Sequence, residues 1–433
     1  MRMKFNKSGQ LLLVAAASLL AAGLVTACGT LTVDFVFVAS SKAAGTNSYG
    51  EIDVFEVDSE SGSMRQIPTS PFPSGGRNPV AEAVSSDSTN LYVVNQDDNT
   101  IVQFIIGNDG KLYPQNTVNT PGIYPMAVAV SGSLLFVVDT YQPLASCATA
   151  SPCSGSIAVF PITTVAGNPP SDELGTALTN TGNGANYWPL ALPGKPGHVI
   201  EPTAVDVLGS DLYVTAYDAT ASASYIFGFS IGSSGALTAL NGGAPLTGTY
   251  FALGTCPSAY VNAPEVAGTC PSGITTFTDS TGSYAYVTDS ANGRIHAYSV
   301  ASDGTLVKVS GSPFAAGNQP AAIVADSKYP YLYVANMLDS TVTAYSISSG
   351  VLSPLGSGTT GGGTYTTGSQ PVAIGIDPST NHFLYSVNYL GSNVSGFELS
   401  STSGTLLNSK NSPYTANAFP TAVAAITHGR SQK

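Results

Sequence analysis

A phrase that returns along the chain constrains its fold more than any other feature. It runs Pro-x-Ala, then x-Leu-Tyr-Val-x-Asn, then a β-branched residue ahead of an aromatic, then Gly-x-Leu. The second part stands at Leu91 to Asn95, Leu135 to Asp139, Leu212 to Ala216, Ala285 to Asp289, Leu332 to Asn336 and Leu384 to Asn388. A seventh, divergent copy stands at Val36 to Ser40. Marked by Phe37, Tyr92, Phe136, Tyr213, Tyr286, Tyr333 and Tyr385, most copies lie about 50 residues apart, and the two longer intervals each hold a cysteine pair. Segments within a copy are short, alternate in polarity, and are rich in Val, Ile, Tyr and Phe between Gly, Asn, Asp, Ser and Pro, the pattern of antiparallel strands. Four strands per repeat of this length make a propeller blade, so the chain is expected to be all-β, a seven-bladed β-propeller. No amphipathic helix of useful length is read after residue 28.

The two ends complete the pattern. A Pro-x-Ala strand precedes blades two to seven at Pro79, Pro125, Pro202, Gly273 in place of Pro, Pro320 and Pro371, but none precedes Val36. The missing strand stands at Phe419 to Ile426, so the C-terminal strand should complete the N-terminal blade and close the ring. Ahead of the repeats, Arg2, Lys4 and Lys7 precede an apolar run from Leu11 to Leu24 and then Val25-Thr26-Ala27-Cys28. That run is too short for the roughly 20 residues that span a bilayer and has the layout of an export signal. It resembles a bacterial lipoprotein signal, which implies cleavage after residue 27 and acylation of Cys28. The expected organisation is a signal peptide over 1–27 and one propeller over 28–433, with insertions at about 140–156, 163–200 and 241–271. The expected location is the periplasm or cell surface, membrane-bound only through the lipid. Four cysteines remain, Cys147 with Cys153 and Cys256 with Cys270, each pair closing a local loop. Disulfides are the expected state in that compartment.

Composition narrows the partners. Only 9% of residues are charged and the net charge is -12, which excludes sequence-independent binding to nucleic acid or to an anionic lipid surface. With 43% hydrophobic residues the chain has ample core. A monomer is expected.

The Pro-x-Ala, Leu-Tyr-Val-x-Asn, Thr-Val-x-x-Tyr and Gly-x-Leu phrases, with Ser70-Pro71-Phe72 and Ser312-Pro313-Phe314 closing repeats, resemble the lactonase-type seven-bladed β-propellers. That group includes 6-phosphogluconolactonase-like proteins and YVTN-repeat surface proteins. The resemblance implies the fold; for activity it implies a sugar-lactone hydrolase at most, because the matched residues recur in every blade.

Chemistry should lie where the repeat breaks. The Asx residues that end the Tyr strands (Asn95, Asp139, Asp289, Asn336, Asn388) recur and are read as turn caps. Counting from the inner-strand Pro, Glu82 stands where the other blades have Val, Thr or Ile, and Asp206 is a lone charge one position further on. Both are candidate catalytic groups, since a carboxyl among packed inner strands has its pKa raised and can serve acid-base work. The residues before the Pro should face one mouth of the channel. Of these Asn78, Tyr124, Glu201, Gln319 and Gln370 form a candidate binding rim, with Ser272 and Phe419 in the remaining blades. Arg77 is the nearest cation.

The resemblance also implies His or Arg at channel-facing positions after the Pro, but this chain has Val80, Met126, Thr203, Ala321, Val372 and Thr421 there. None of its histidines (His198, His296, His382, His428) has a metal-ligand or catalytic partner in the sequence. No metal site and no cofactor is expected, except that a second template, the calcium-dependent gluconolactonase type, would recruit Glu82 or Glu201 with Asp206 and Asn78. The expected function is a lipid-anchored binding or scaffold module for a small molecule, a glycan or an envelope protein. The alternatives are a lactone hydrolase acting in the central channel and a purely structural envelope protein.

Overall fold

The computed structural model describes residues 32–41, 49–144, 147, 153–166, 171–221, 223–246, 271–356, 363–378 and 382–427. The leader 1–27, Cys28, Cys256, Cys270 and His428 lie outside the described residues. Seven antiparallel sheets follow one another along the chain as the blades of a propeller. The innermost strands of blades two to seven are Pro79–Val84, Ile123–Ser131, Ile200–Leu208, Gly273–Asp279, Pro320–Ala325 and Pro371–Ile376. The one helical element among the described residues is a single 3-10 turn, Leu240–Gly243.

Blade one is built from both ends of the chain. Its order from outside inward is Met64–Gln66, Glu51–Asp58, Thr32–Ser40 and then Pro420–Thr427, with Asp34 opposite Thr427 and Val38 opposite Val423. The closing strand supplies Ala424 and Ile426 to a core shared with Phe37, Val54, Leu91 and Phe104. That core spans blades one and two, and the others likewise form in the seams between neighbouring blades, as where Tyr286 and Ile295 of blade five meet Val334 and Tyr345 of blade six.

The repeated phrases are explained by this packing. The outer strands Met64–Gln66, Leu306–Lys308 and Leu406–Asn408 are only three residues long and leave half of the third strand unpaired. The Ser-Pro-aromatic phrase occupies that space. Phe72–Pro73, Phe314–Ala315 and Tyr414–Thr415 pair with the same third strands, and the hydroxyls of Ser70, Ser312 and Ser412 accept the N–H groups of Val54, Ala297 and Gly396 at 2.9, 2.9 and 3.0 Å. The Tyr and Gly of the other two phrases meet across seams. Tyr213, Tyr286 and Tyr333 donate their buried hydroxyls to the carbonyls of Gly304, Gly350 and Gly404 in the following blade, at 2.9, 3.3 and 3.0 Å.

Two stretches of the long third interval belong to the blade itself. Ser171–Leu174 forms the outer strand of blade three, and Trp188–Pro189 pairs with its third strand. Trp188 is buried, and its indole N–H donates to Leu237 O at 3.0 Å, which ties the loop to blade four. Cys147 and Cys153 are disulfide-bonded.

Removing residues 415–433 takes away the inner strand of blade one and opens the ring. With about one net kcal/mol for each lost backbone hydrogen bond and the burial of Ile426 lost as well, the expected destabilisation is roughly 5 kcal/mol or more. Thermal unfolding followed by circular dichroism should show a single transition for the whole propeller moving down, not the loss of one blade.

Candidate functional site

The rim predicted from the sequence holds five of the twelve non-glycine residues with left-handed backbone among the described residues. The residue before the inner-strand proline is left-handed in five blades: Asn78 (φ 52°), Tyr124 (57°), Gln319 (49°), Gln370 (57°) and Phe419 (58°). For a residue with a Cβ this costs on the order of 1–3 kcal/mol and persists only where the surroundings enforce it. Here they do. The carbonyls of Asn78, Gln319, Gln370 and Phe419 accept the N–H groups of Gln96, Met337, Tyr389 and Ser41 at 2.8–3.0 Å, and Thr140 donates its hydroxyl to Tyr124 O at 2.7 Å. From the preceding blade, Asn99 Oδ1 accepts the Tyr124 N–H at 2.7 Å and Ser340 Oγ accepts that of Gln370 at 3.4 Å.

The rim side chains are amides and aromatics together with the Glu201 carboxyl and the Ser272 hydroxyl. Asn78 Nδ2 donates to Gln96 Oε1 at 3.0 Å and to Asp97 Oδ1 at 3.2 Å, while Gln96 Nε2 reaches Met126 Sδ in blade three. Tyr124 meets Tyr141 edge to face with centroids 6.1 Å apart, and Phe419 meets Tyr389 at 5.0 Å. Glu201 lies opposite Tyr217 at the entry of blade four. Asn78, Tyr124, Glu201, Gln370 and Phe419 are half-buried, whereas Gln319 is buried. Arg77 is held by Asp98, which accepts from its backbone N–H and its Nε, each at 2.7 Å. Its charge is therefore matched within the protein.

The two carboxyls singled out by the sequence face different seams. Glu82 points toward blade one: both its oxygens are shielded from solvent, and the nearest donors, the N–H groups of Ala424 and Ala39, lower its pKa without meeting hydrogen-bond geometry. Burial outweighs them and pushes the carboxyl up to about 8. Asp206 points toward blade five, where it accepts from the N–H and hydroxyl of Thr276 at 2.7 and 2.9 Å and from Val207 N–H at 2.8 Å. Burial again dominates and raises it to about 6. The seams between blades one and two and between blades four and five stand on opposite sides of the ring, so these groups form no acid-base pair. No cluster of three or more His, Cys, Asp or Glu suited to a metal ion occurs among the described residues.

A pair that the sequence reading missed stands at the mouth of blade four. His198 Nδ1 lies 2.6 Å from Asp218 Oδ2; the Asp218 side chain is fully buried and that of His198 is 24% exposed. Asp218 Oδ1 accepts the N–H groups of Thr220 and Ala221, both at 3.0 Å. The available signal was a displaced Asx. Blade four ends its Tyr strand with Ala216 where five other blades have Asn or Asp, and an Asp follows two residues later. A second His–Asp contact, His296 Nε2 to Asp289 Oδ2 at 3.4 Å, is buried inside blade five.

Burial also raises Asp139 to about 7, and Asp53 to about 6 where it holds Asn417 ahead of the closing strand. With Glu82 and Asp206 these are carboxyls whose folded pKa exceeds the unfolded one, so folding takes up protons between about pH 4 and 8. Their stabilising effect is full at the acid end of that window and is lost as pH rises through the folded values. Asp279 and Asp303, held below the usual range by the hydroxyls of Thr281 and Thr305, have the opposite sign and act below about pH 4. Melting temperature should therefore fall from about pH 5 to about pH 8.5, and Glu82→Gln should raise it at the alkaline end. An unchanged pH slope in that variant would show that Glu82 is not the group responsible.

These features define a class: a seven-bladed propeller closed by its own C-terminus, with a clamped rim of amides and aromatics around one mouth. The family model described as "Lactonase, 7-bladed beta-propeller" matches residues 42–184 and 275–426, and the chain belongs to that family. Among solved structures it is similar to a 6-phosphogluconolactonase candidate from Bacteroides fragilis, at 19% identity and TM-score 0.61 over 92% of this chain and 98% of that one. A candidate of the same kind from Bacteroides uniformis gives 17% and 0.64, over 91% and 99%. The periplasmic gluconolactonase PpgL of Pseudomonas aeruginosa gives 16% and 0.62, over 92% and 100%. At these identities the likeness is one of fold. No curated protein matches the chain.

Proposed function

We propose that this member of the lactonase-like propellers is a binding module whose channel mouth takes an uncharged, hydroxyl-rich ligand of the sugar or aldonolactone type. The observation that carries this reading is the left-handed rim. Strain held at the carbonyl of each of these five residues, and at the N–H of Tyr124 and Gln370 as well, fixes side chains in advance, which is how a site lowers the entropic cost of binding. The fixed side chains suit a polyol, because amides exchange hydrogen bonds with hydroxyls while Tyr124 and Phe419 offer faces to ring C–H groups. Arg77, already matched by Asp98, favours no anionic group on the ligand. For the alternative, a lactone hydrolase with Glu82 or Asp206 as base, both oxygens of Glu82 are shielded from solvent and both of Asp206 already accept hydrogen bonds, which favours neither as a base.

Titration calorimetry of the full chain in detergent with gluconolactam, the non-hydrolysable lactam analogue of the aldonolactone, should give saturable binding. Tyr124→Ala and Gln370→Ala should each weaken it by about 10-fold, or about 1.4 kcal/mol. An absence of heat across sugars, lactams and lactones would favour the structural reading. We further propose that the chain is exported and anchored through acylated Cys28. Cys28→Ala should abolish labelling by radioactive palmitate and release the protein from membranes; labelling that survives the substitution would refute the anchor.

A further inference from the structure

The channel mouth and the start of the first strand stand on opposite faces of the ring. Thr32–Ser40 runs the full height of blade one. At one end Ser40 pairs with Pro420, and the Ser41 N–H donates to the rim carbonyl of Phe419 at 3.0 Å. At the other end Thr32 lies opposite Asp58, beside the hairpin in which Asp58 Oδ1 accepts the N–H groups of Glu60 and Ser61 at 3.2 and 2.9 Å. The turns that follow the inner strands Pro79–Val84 and Pro371–Ile376 are on this same face, because each inner strand begins at the mouth. The Lys410 N–H of blade seven donates to Ser61 O at 3.1 Å and joins the hairpin to that neighbour. Eight steps of strand from Thr32 to Ser40 separate the two faces by roughly 26 Å at the ordinary rise. Only Gly29, Thr30 and Leu31 stand between Cys28 and Thr32, so four steps of at most about 3.6 Å give a tether from Cys28 a reach of roughly 14 Å. Thr32–Ser40 is also the second strand from the axis, so the tether starts near the opening of the channel opposite the mouth.

We infer that the face formed by the hairpins of blades seven, one and two is the membrane-facing surface of the protein, and that the channel mouth opens away from the lipid. The inference rests on the proposed acylation of Cys28 and on the place of Thr32, and is independent of what the mouth binds. Turning the mouth to the membrane would need a tether of roughly 26 Å, about twice what four steps of chain supply. Charge does not hold the orientation. The turns of this face in blades one and two carry Asp58, Glu60, Asp87 and Asp109 against Lys111, with Lys410 in blade seven, and Lys111 is matched by Asp109 at 2.7 Å. Such a surface is not drawn to anionic headgroups, so the short tether alone sets the facing side. The mouth then takes a partner that arrives from the aqueous compartment, not a lipid of the anchoring leaflet.

The test uses the full chain purified from membranes and reconstituted into phosphatidylcholine vesicles, with a thiol-reactive fluorophore at one added cysteine and a nitroxide quencher on the lipid headgroups. Glu60→Cys puts the label on the hairpin face, where Glu60 is exposed. Leu338→Cys puts it at the mouth, where Leu338 is 48% exposed and its N–H donates to Asn318 O. The chain without an added cysteine gives the background. The label at Glu60→Cys should be quenched several-fold more than the label at Leu338→Cys. Inserting about 20 Gly and Ser residues between Gly29 and Thr30 extends the tether by a root-mean-square reach of roughly 25 Å and should bring the two labels to similar quenching. Equal quenching in the unextended chain, or stronger quenching at Leu338→Cys, on protein held by the vesicles would overturn the inference and leave the anchor standing. A difference unchanged by the insertion would overturn the tether as its cause. Protein that stays off the vesicles would defeat the anchor and the inference together.

Discussion

The fold depends on one contact repeated across its seams, the hydroxyl of a strand tyrosine donating to the carbonyl of a hairpin glycine in the next blade. Tyr213 reaches Gly304, Tyr286 reaches Gly350 and Tyr333 reaches Gly404. All three glycines are left-handed, with φ of 79°, 79° and 67°, which a residue with a Cβ adopts only under strain. The space above them is filled as well. A Cβ on Gly350 would strike the ring of Tyr284, and one on Gly404 the ring of Tyr331, in each case two residues ahead of the hydroxyl donor on the same strand. The Leu-Tyr-Val and Gly-x-Leu phrases recur together because they are two halves of one joint.

The mouth inherits its rigidity from these joints. A left-handed residue ahead of a proline has little to recommend it locally, yet five such residues stand in a ring because each blade supplies a donor to the carbonyl and the preceding hairpin can supply an acceptor for the N–H. The same packing decides the fate of the lone carboxyls. Inner strands lie edge-on to the channel, so their side chains enter the seams, and an acid placed there is desolvated rather than presented to a ligand. Asp206 is compensated by Thr276 of the next blade, while Glu82 meets no donor in hydrogen-bond geometry and is held near neutrality by burial.

The blade count, the strand phrases and the closure by residues 420–427 were all readable in the sequence, because each rests on a period or on an element missing at one end and present at the other. The inner strands were also readable, since six of the seven carry a Pro at or near their start. The handedness of the residue ahead of that Pro was not, because it is imposed by Gln96, Met337 and Tyr389, residues unrelated in type that act through the backbone. Glu82 and Asp206 were visible as exceptions to a pattern, but a one-letter exception does not say which face of a strand it lies on. His198 and Asp218 escaped for a different reason. They belong to the irregular approach to blade four, where a pairing across twenty residues is set by the path of a loop and by its contacts with Ser154.

Closing the ring with a strand from the far end has a consequence for how the chain matures. Asp34 pairs with Thr427, a separation of 427 − 34 = 393 residues. Loop-closure entropy grows only with the logarithm of length, so this costs roughly 2 kcal/mol more than closing a loop of about 50 residues. The thermodynamic cost is small, but the ordering in time is strict. Thr32–Ser40 is made before Pro420–Thr427, and its inner edge, flanked by the apolar side chains of Val36, Phe37 and Val38, stays open until that closing strand arrives. During that interval the edge can accept the closing strand of any copy within reach. A crowded or interrupted synthesis should therefore favour pairs of molecules that have exchanged their C-terminal strands, each ring shut by the other's tail.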